Sequence, residues 1–186
     1  MQEFDELVAE SVARLDHTLI EQSVFGADDP ALIVQFLRSA CLQALGSPPM
    51  AGLFAAKNIG LSYGLQLADG RRVVVKGHQP WVRSLVQARL AGKIQAELCE
   101  AGFPAPRPLA DPVPISNGGH LTIEEYKPGE LGDAHSPSVR REMAERLADL
   151  IRLAQQFTST DLTVPWLAPA EGPLWPRAHN YLLTSH

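Results

Sequence analysis

The sequence is short of the residues that most easily advertise a chemistry. Its 186 residues hold only two cysteines, Cys41 and Cys99. Both stand in apolar, helix-like contexts, which predicts buried free thiols rather than a disulfide or redox pair, and with them a reducing, cytoplasmic setting. The six histidines are scattered, with no His-x-x-x-His and no cysteine at metal spacing, so no metal site is expected. There is no Gly-x-Ser-x-Gly elbow and no cysteine nucleophile with a matching histidine. No basic block is longer than Arg71-Arg72 or Arg140-Arg141, and the formal net charge is −5. The electrostatic footprint of a nucleic-acid binder is therefore missing. No apolar run is long enough to cross a bilayer. The acidic opening, Met1-Gln2-Glu3-Phe4-Asp5-Glu6, lacks the basic and apolar regions of a signal peptide.

What is present fits a soluble folded domain. Apolar residues make up 45% and charged residues 20%, and the length predicts one domain, or one with an appendage, able to bury a core without metal or disulfide staples. From Phe4 to Ile20, Leu7, Val8, Val12, Leu15 and Leu19 recur at helical spacing. Asp28-Asp29-Pro30 reads as an N-cap followed by a first-turn proline, opening a second helix over Ala31 to Leu45. The period then changes. Gly52 to Ile59 is a candidate strand, Asn58 to Gly64 a glycine-containing link, and Leu65 to Leu67 part of a second strand. Ala68-Asp69-Gly70-Arg71 carries the Asp-Gly hairpin signal before a return strand, Arg72 to Lys76. A helix is expected from Trp81 to Ala101 with Val86, Leu90, Ile94 and Leu98 on one face, closed by Gly102. Pro104-Ala105-Pro106-Arg107-Pro108 forces an extended exit. Leu109 to Val113 and His120 to Glu125 are two more strands, and Ser138 to Phe157 is a strong helix. From Ser159 onward, prolines interrupt every pattern.

Lys76 is the most informative residue. It ends a run of valines that reads as a buried strand, where an ammonium without an anionic partner is costly. The milder alternative is a strand-end lysine reaching out to solvent.

Strand, glycine-containing turn, strand, Asp-Gly hairpin, strand ending in lysine, helix, Pro-x-Pro exit, hairpin and helix: this order is similar to the N-terminal lobe of aminoglycoside phosphotransferase-like enzymes, which have the protein-kinase-like fold. The stretch Glu100 to Leu109 resembles that family's helix exit, and His120 to Glu130 resembles its hinge. The resemblance covers Gly52 to Phe157, over half the chain. It implies an α+β fold: a small lobe made of an antiparallel sheet with one packed helix, an N-terminal helical prefix and a C-terminal helix. The implied division is a prefix over 1–50, the lobe over 51–130, and over 131–186 a linker helix and proline-rich tail that begin a missing large lobe.

The implied function is the nucleotide-binding lobe of an ATP-dependent small-molecule phosphotransferase, with ATP and Mg²⁺ as cofactors. By that resemblance Lys76 neutralises nucleotide phosphate as a point charge. Val74, two residues earlier on the same strand face, packs against the adenine, although a core valine fits the pattern equally well. Gly60 and Gly64 let the backbone approach phosphates closely, although such glycines also occur in plain turns. Glu124, Glu125 and Tyr126 form the hinge that reads the adenine edge through its backbone. The family orients its lysine with a helix glutamate. Gln87 and Glu97 are the candidates here, with Glu97 preferred for its charge; either also suits an exposed helix position.

One departure is large. The family's catalytic loop joins a His, a catalytic Asp, a downstream Asn and a second, metal-binding Asp. After Phe157 the only acids are Asp161 and Glu171, and His179-Asn180 has no acid beside it. No catalytic residue and no metal ligand is assigned. The expectation is a lobe incomplete as a catalyst, the front of a split or truncated gene, partnered by a nucleotide and by either a second copy or the missing C-terminal lobe. A different class of reading makes it a degenerate lobe used for interaction or dimerisation, because Leu147, Leu150, Ile151, Trp166 and Trp175 have no visible cover.

Overall fold

A computed structural model describes residues 2–14, 18–129 and 132–157. Trp166, Trp175 and the proline-rich tail lie outside them. Along the chain run β1 (Gln2–Glu3), α1 (Phe4–Ala13), α2 (Leu19–Phe25), α3 (Pro30–Leu45), β2 (Pro49–Lys57), β3 (Leu61–Leu67), β4 (Arg72–His78), α4 (Leu85–Glu100), β5 (Val113–Pro114), β6 (His120–Glu125) and α5 (Pro137–Ala154). The six strands form one sheet in the order β1-β2-β3-β4-β6-β5, and every neighbouring pair is antiparallel. This is the α+β architecture expected: an antiparallel sheet, a helix inserted between its strands, a helical prefix and a C-terminal helix.

Strand alternation gives the sheet two different faces. Leu65, Val73, Val75, Leu121 and Ile123 point to one face and are buried against Val8, Val24, Ile33 and Leu37 of the prefix helices. Prefix and sheet therefore share a single hydrophobic core. The opposite face carries Ser62, Gly64, Val74, Lys76, His78, Thr122 and Glu124. Register brings these together: Lys76 lies between Ser62 and Thr122, and Val74 between Gly64 and Glu124.

Several local signals act as read. Asp29 caps α3, its carboxylate accepting from the Ala31 N–H at 2.9 Å, with Pro30 in the first turn. Gly70 takes φ +86° in the Asp69-Gly70 hairpin, where few other residues are unstrained. Other expectations need correction. The helix read over Phe4 to Ile20 is two helices, since α1 packs on β2 and α3 while Val24 of α2 reaches the far end of the sheet at Gly77. The strand read over Leu109 to Val113 shrinks to Val113–Pro114. Pro108, Pro112 and Pro114 bring no N–H to a ladder, so ahead of β5 the chain meets β6 through the Pro108–Glu124 bridge, with the Leu109 N–H donating to the Ile123 carbonyl at 2.9 Å and the Glu125 N–H to the Arg107 carbonyl at 2.8 Å. Helix α4 starts at Leu85, not Trp81, because Ser84 and Gln87 build a capping box. Val86, expected on its inner face, is 68% exposed, and Ala88 takes that place. No residue of α5 is buried.

Candidate functional site

The Lys76 side chain rises from the open sheet face and forms an ion pair with Glu124 Oε1. The lysine side chain keeps 38% of its surface exposed while the glutamate keeps 10%. The carboxylate is therefore a buried anchor and the ammonium remains reachable. Glu124 is itself held from α4: Gln95 Nε2 donates to its Oε2 at 3.2 Å and also to the Pro106 carbonyl. Lysine, glutamate and glutamine thus come from β4, β6 and α4, and Pro106 lies in the proline-rich exit.

Two hollows open on either side of Lys76. The larger, about 280 Å³, lies between the lysine and the link at Gly60; Ser62, His78, Gln79 and Arg83 also line it. The smaller, about 70 Å³, lies between Lys76 and α4, where Ala88, Gly92 and Gln95 meet Thr122 and Glu124. Small residues on α4 allow this close approach. Lys76, His78 and Arg83 line both hollows. The Gln79 side chain donates to the Ile59 carbonyl and ties the turn after β4 to the link.

His78 and His120 stack across β4 and β6, with ring centroids 5.0 Å apart. His78 Nε2 lies 2.9 Å from Thr122 Oγ1. Burial, reinforced by the positive charge of Arg83, pushes His78 down to about 3 and His120 down to about 4. Both rings are neutral near pH 7. Neither ring nitrogen of the fully buried His120 has a hydrogen-bond partner among the described residues.

The predicted residues fall into three groups. Lys76 and Gly60 face one hollow. A Cβ at Gly60 would lie 2.6 Å from the Gly77 carbonyl oxygen, so the link comes close to β4 only with glycine there. Val74, Gly64 and Tyr126 gather around Phe54 farther along the same face. Gly64 lies inside β3 rather than in the link; a Cβ there would sit 2.3 Å from the Phe54 ring. Phe54 in turn lies 6.4 Å from the Tyr126 ring, centroid to centroid. Glu125 and Glu97 stand apart. Glu125 points to the opposite sheet face from Glu124 and pairs with Lys127 at 2.9 Å, which holds its carboxyl below the usual range. The Glu125 and Tyr126 N–H groups already donate to the Arg107 and Arg72 carbonyls. Glu97 lies near the end of α4 and forms no ion pair with Lys76, whose carboxylate partner is Glu124. In the sequence Glu124 belongs to the expected hinge, and no local signal marks Phe54, Gln95 or Arg83. The alternation Thr122-Ile123-Glu124 could have shown that this carboxylate shares a face with its strand neighbours.

No family model matches the chain, and no curated protein matches it. Among solved structures, a Thermobifida fusca protein described as a fructosamine-3-kinase is 15% identical, with a TM-score of 0.40, over 60% of this chain and 37% of that protein. At that level the likeness assigns neither family nor activity.

Proposed function

We propose that this chain is the nucleotide-binding lobe of an ATP-dependent small-molecule phosphotransferase of the aminoglycoside phosphotransferase-like kind. The observation that carries the reading is the pair Lys76–Glu124 beside the Gly60 hollow. A buried carboxylate fixes the direction of a reachable ammonium, which is what a lysine needs to hold phosphate oxygens as a point charge. Phe54, Val74 and Tyr126 offer apolar surface for a base farther along the face. Mg²⁺ enters this reading with the nucleotide phosphates. When bound, the nucleotide supplies the phosphoryl group; this lobe captures and orients it. Among the described residues the only carboxylate lining the two hollows, Glu124, is committed to Lys76, so the base and metal ligands for transfer are assigned to another segment. In this division 51–130 is the lobe, 1–50 is the prefix packed on its back, and 131–186 leads into a large lobe.

A thermal-shift titration with Mg-ATP should give a saturable rise in wild type that Lys76→Ala abolishes. An equal rise in the variant would remove Lys76 from the site.

A second reading, an interaction or dimerisation module, is favoured by α5. Met143, Leu147 and Ile151 are 60%, 56% and 56% exposed on this amphipathic helix. Exposed apolar surface of this kind marks an interface. Light scattering should then report a concentration-dependent dimer that Leu147→Glu with Ile151→Glu dissociates; a strict monomer at high concentration would count against it.

A further inference from the structure

We propose that Arg83 is a second phosphate-binding cation, acting with Lys76 on the polyphosphate of a nucleoside triphosphate. This rests on the nucleotide reading above and names a ligand residue that the sequence did not indicate.

Arg83 lines both hollows, together with Lys76. Among the described residues no carboxylate lies within ion-pair reach of it. The two hollows thus hold two basic side chains against one carboxylate, Glu124, which already pairs with Lys76. The neighbouring imidazoles do not alter that balance, because His78 and His120 are neutral near pH 7. An unpaired guanidinium beside an ammonium, in a partly enclosed hollow, leaves a positive potential that an anion would neutralise. Its planar fork can also meet two phosphate oxygens side by side through parallel N–H bonds, a geometry that the ammonium of Lys76 does not fix.

The position is built rather than incidental. The Arg83 N–H donates to the Gln79 carbonyl at 3.1 Å, and Val82 beside it is buried. Gln79 in turn holds the Ile59 carbonyl in the link that forms the opposite wall. The turn carrying Arg83 and the link carrying Gly60 are therefore fastened together, so the two walls of the hollow keep a fixed separation. An anion between them would meet Lys76 from the strand and Arg83 from the turn.

Equilibrium binding of Mg-ATP, inorganic tripolyphosphate and adenosine to wild type, Arg83→Gln and Arg83→Lys tests this. Arg83→Gln should weaken Mg-ATP and tripolyphosphate by about tenfold or more, the loss expected for a charge-assisted hydrogen bond, and leave adenosine unchanged. Arg83→Lys should restore part of that loss and shows that the turn tolerates substitution. Wild type binding Mg-ATP with Arg83→Gln matching it would overturn the inference and leave the nucleotide reading standing. Arg83-dependent binding of tripolyphosphate with no preference for Mg-ATP would keep the cation pair and overturn the nucleotide reading. No binding of either polyphosphate by wild type would overturn both.

Discussion

Lys57 and Glu21 form a second lysine–glutamate pair, and it differs from Lys76–Glu124 in one decisive respect. Its side chains are 2% and 0% exposed, against 38% and 10% at Lys76 and Glu124. The first pair is sealed between α2 and the end of β2 and can meet no ligand; the second opens on a hollow. Glu21 Oε2 has no hydrogen-bond partner among the described residues, and burial, against the pull of the Ser11 hydroxyl and aided by the Glu21 charge, pushes the Tyr63 phenol up to about 12. A buried pair of this kind is costly to break and cheap to replace whole. Lys57→Met should therefore lower stability by about 3–5 kcal/mol in urea unfolding. Glu21→Leu with Lys57→Met should recover most of that loss. Additive losses in the double variant would show that the two charges do not depend on each other.

Strand pairing brings the two histidines together, and their response belongs to the element scale. His78 and His120 stack only because β4 and β6 pair with those residues in register. Folding lowers their pKa from the ordinary 6.5 to about 3 and about 4, mainly through burial. The unfolded chain then takes up protons that the folded chain refuses, so stability falls as pH drops below about 6.5. The loss is up to about 1.4 kcal/mol per pH unit for each ring. Asp28, Asp69, Glu125 and Asp133, whose carboxyls are held low in the fold, contribute only nearer or below their ordinary values of 3.8 to 4.5. The urea midpoint should thus drop between about pH 7 and pH 5. A flat midpoint across that window would mean the rings are protonated inside the fold.

Legibility in the sequence also divides by element. Strand β6 and the Asp69-Gly70 hairpin were readable because apolar alternation and turn chemistry are local. The start of α4 is obscured in the sequence because its cap, Ser84, lies beyond apolar residues at Trp81 and Val82 that mimic helical periodicity. Leu109 and Val113 suggest a longer β5 than forms, because Pro108, Pro112 and Pro114 leave no N–H for a ladder. The break between α1 and α2 could not be read, since it follows from where each helix packs on the sheet.

For the whole molecule, one core joins the prefix to the sheet, and the candidate site lies on the face the prefix leaves open. Lys76 was visible in the sequence because a charged residue at the end of a valine strand breaks the local pattern. Its partner was not, because Glu124 is distant in sequence and only strand register places it there. Arg83 was hidden for the same reason: nothing local separates an arginine lining a hollow from one on the surface. Among the described residues no helix is long and apolar enough to cross a membrane.

The central claim is that the Lys76–Glu124 face captures nucleotide, and calorimetric titration of Mg-ATP into the wild-type chain tests it most directly. The account predicts saturable binding, one nucleotide per chain, with Lys76→Ala giving no measurable heat. A wild-type titration indistinguishable from dilution, on protein shown to be folded, would contradict it.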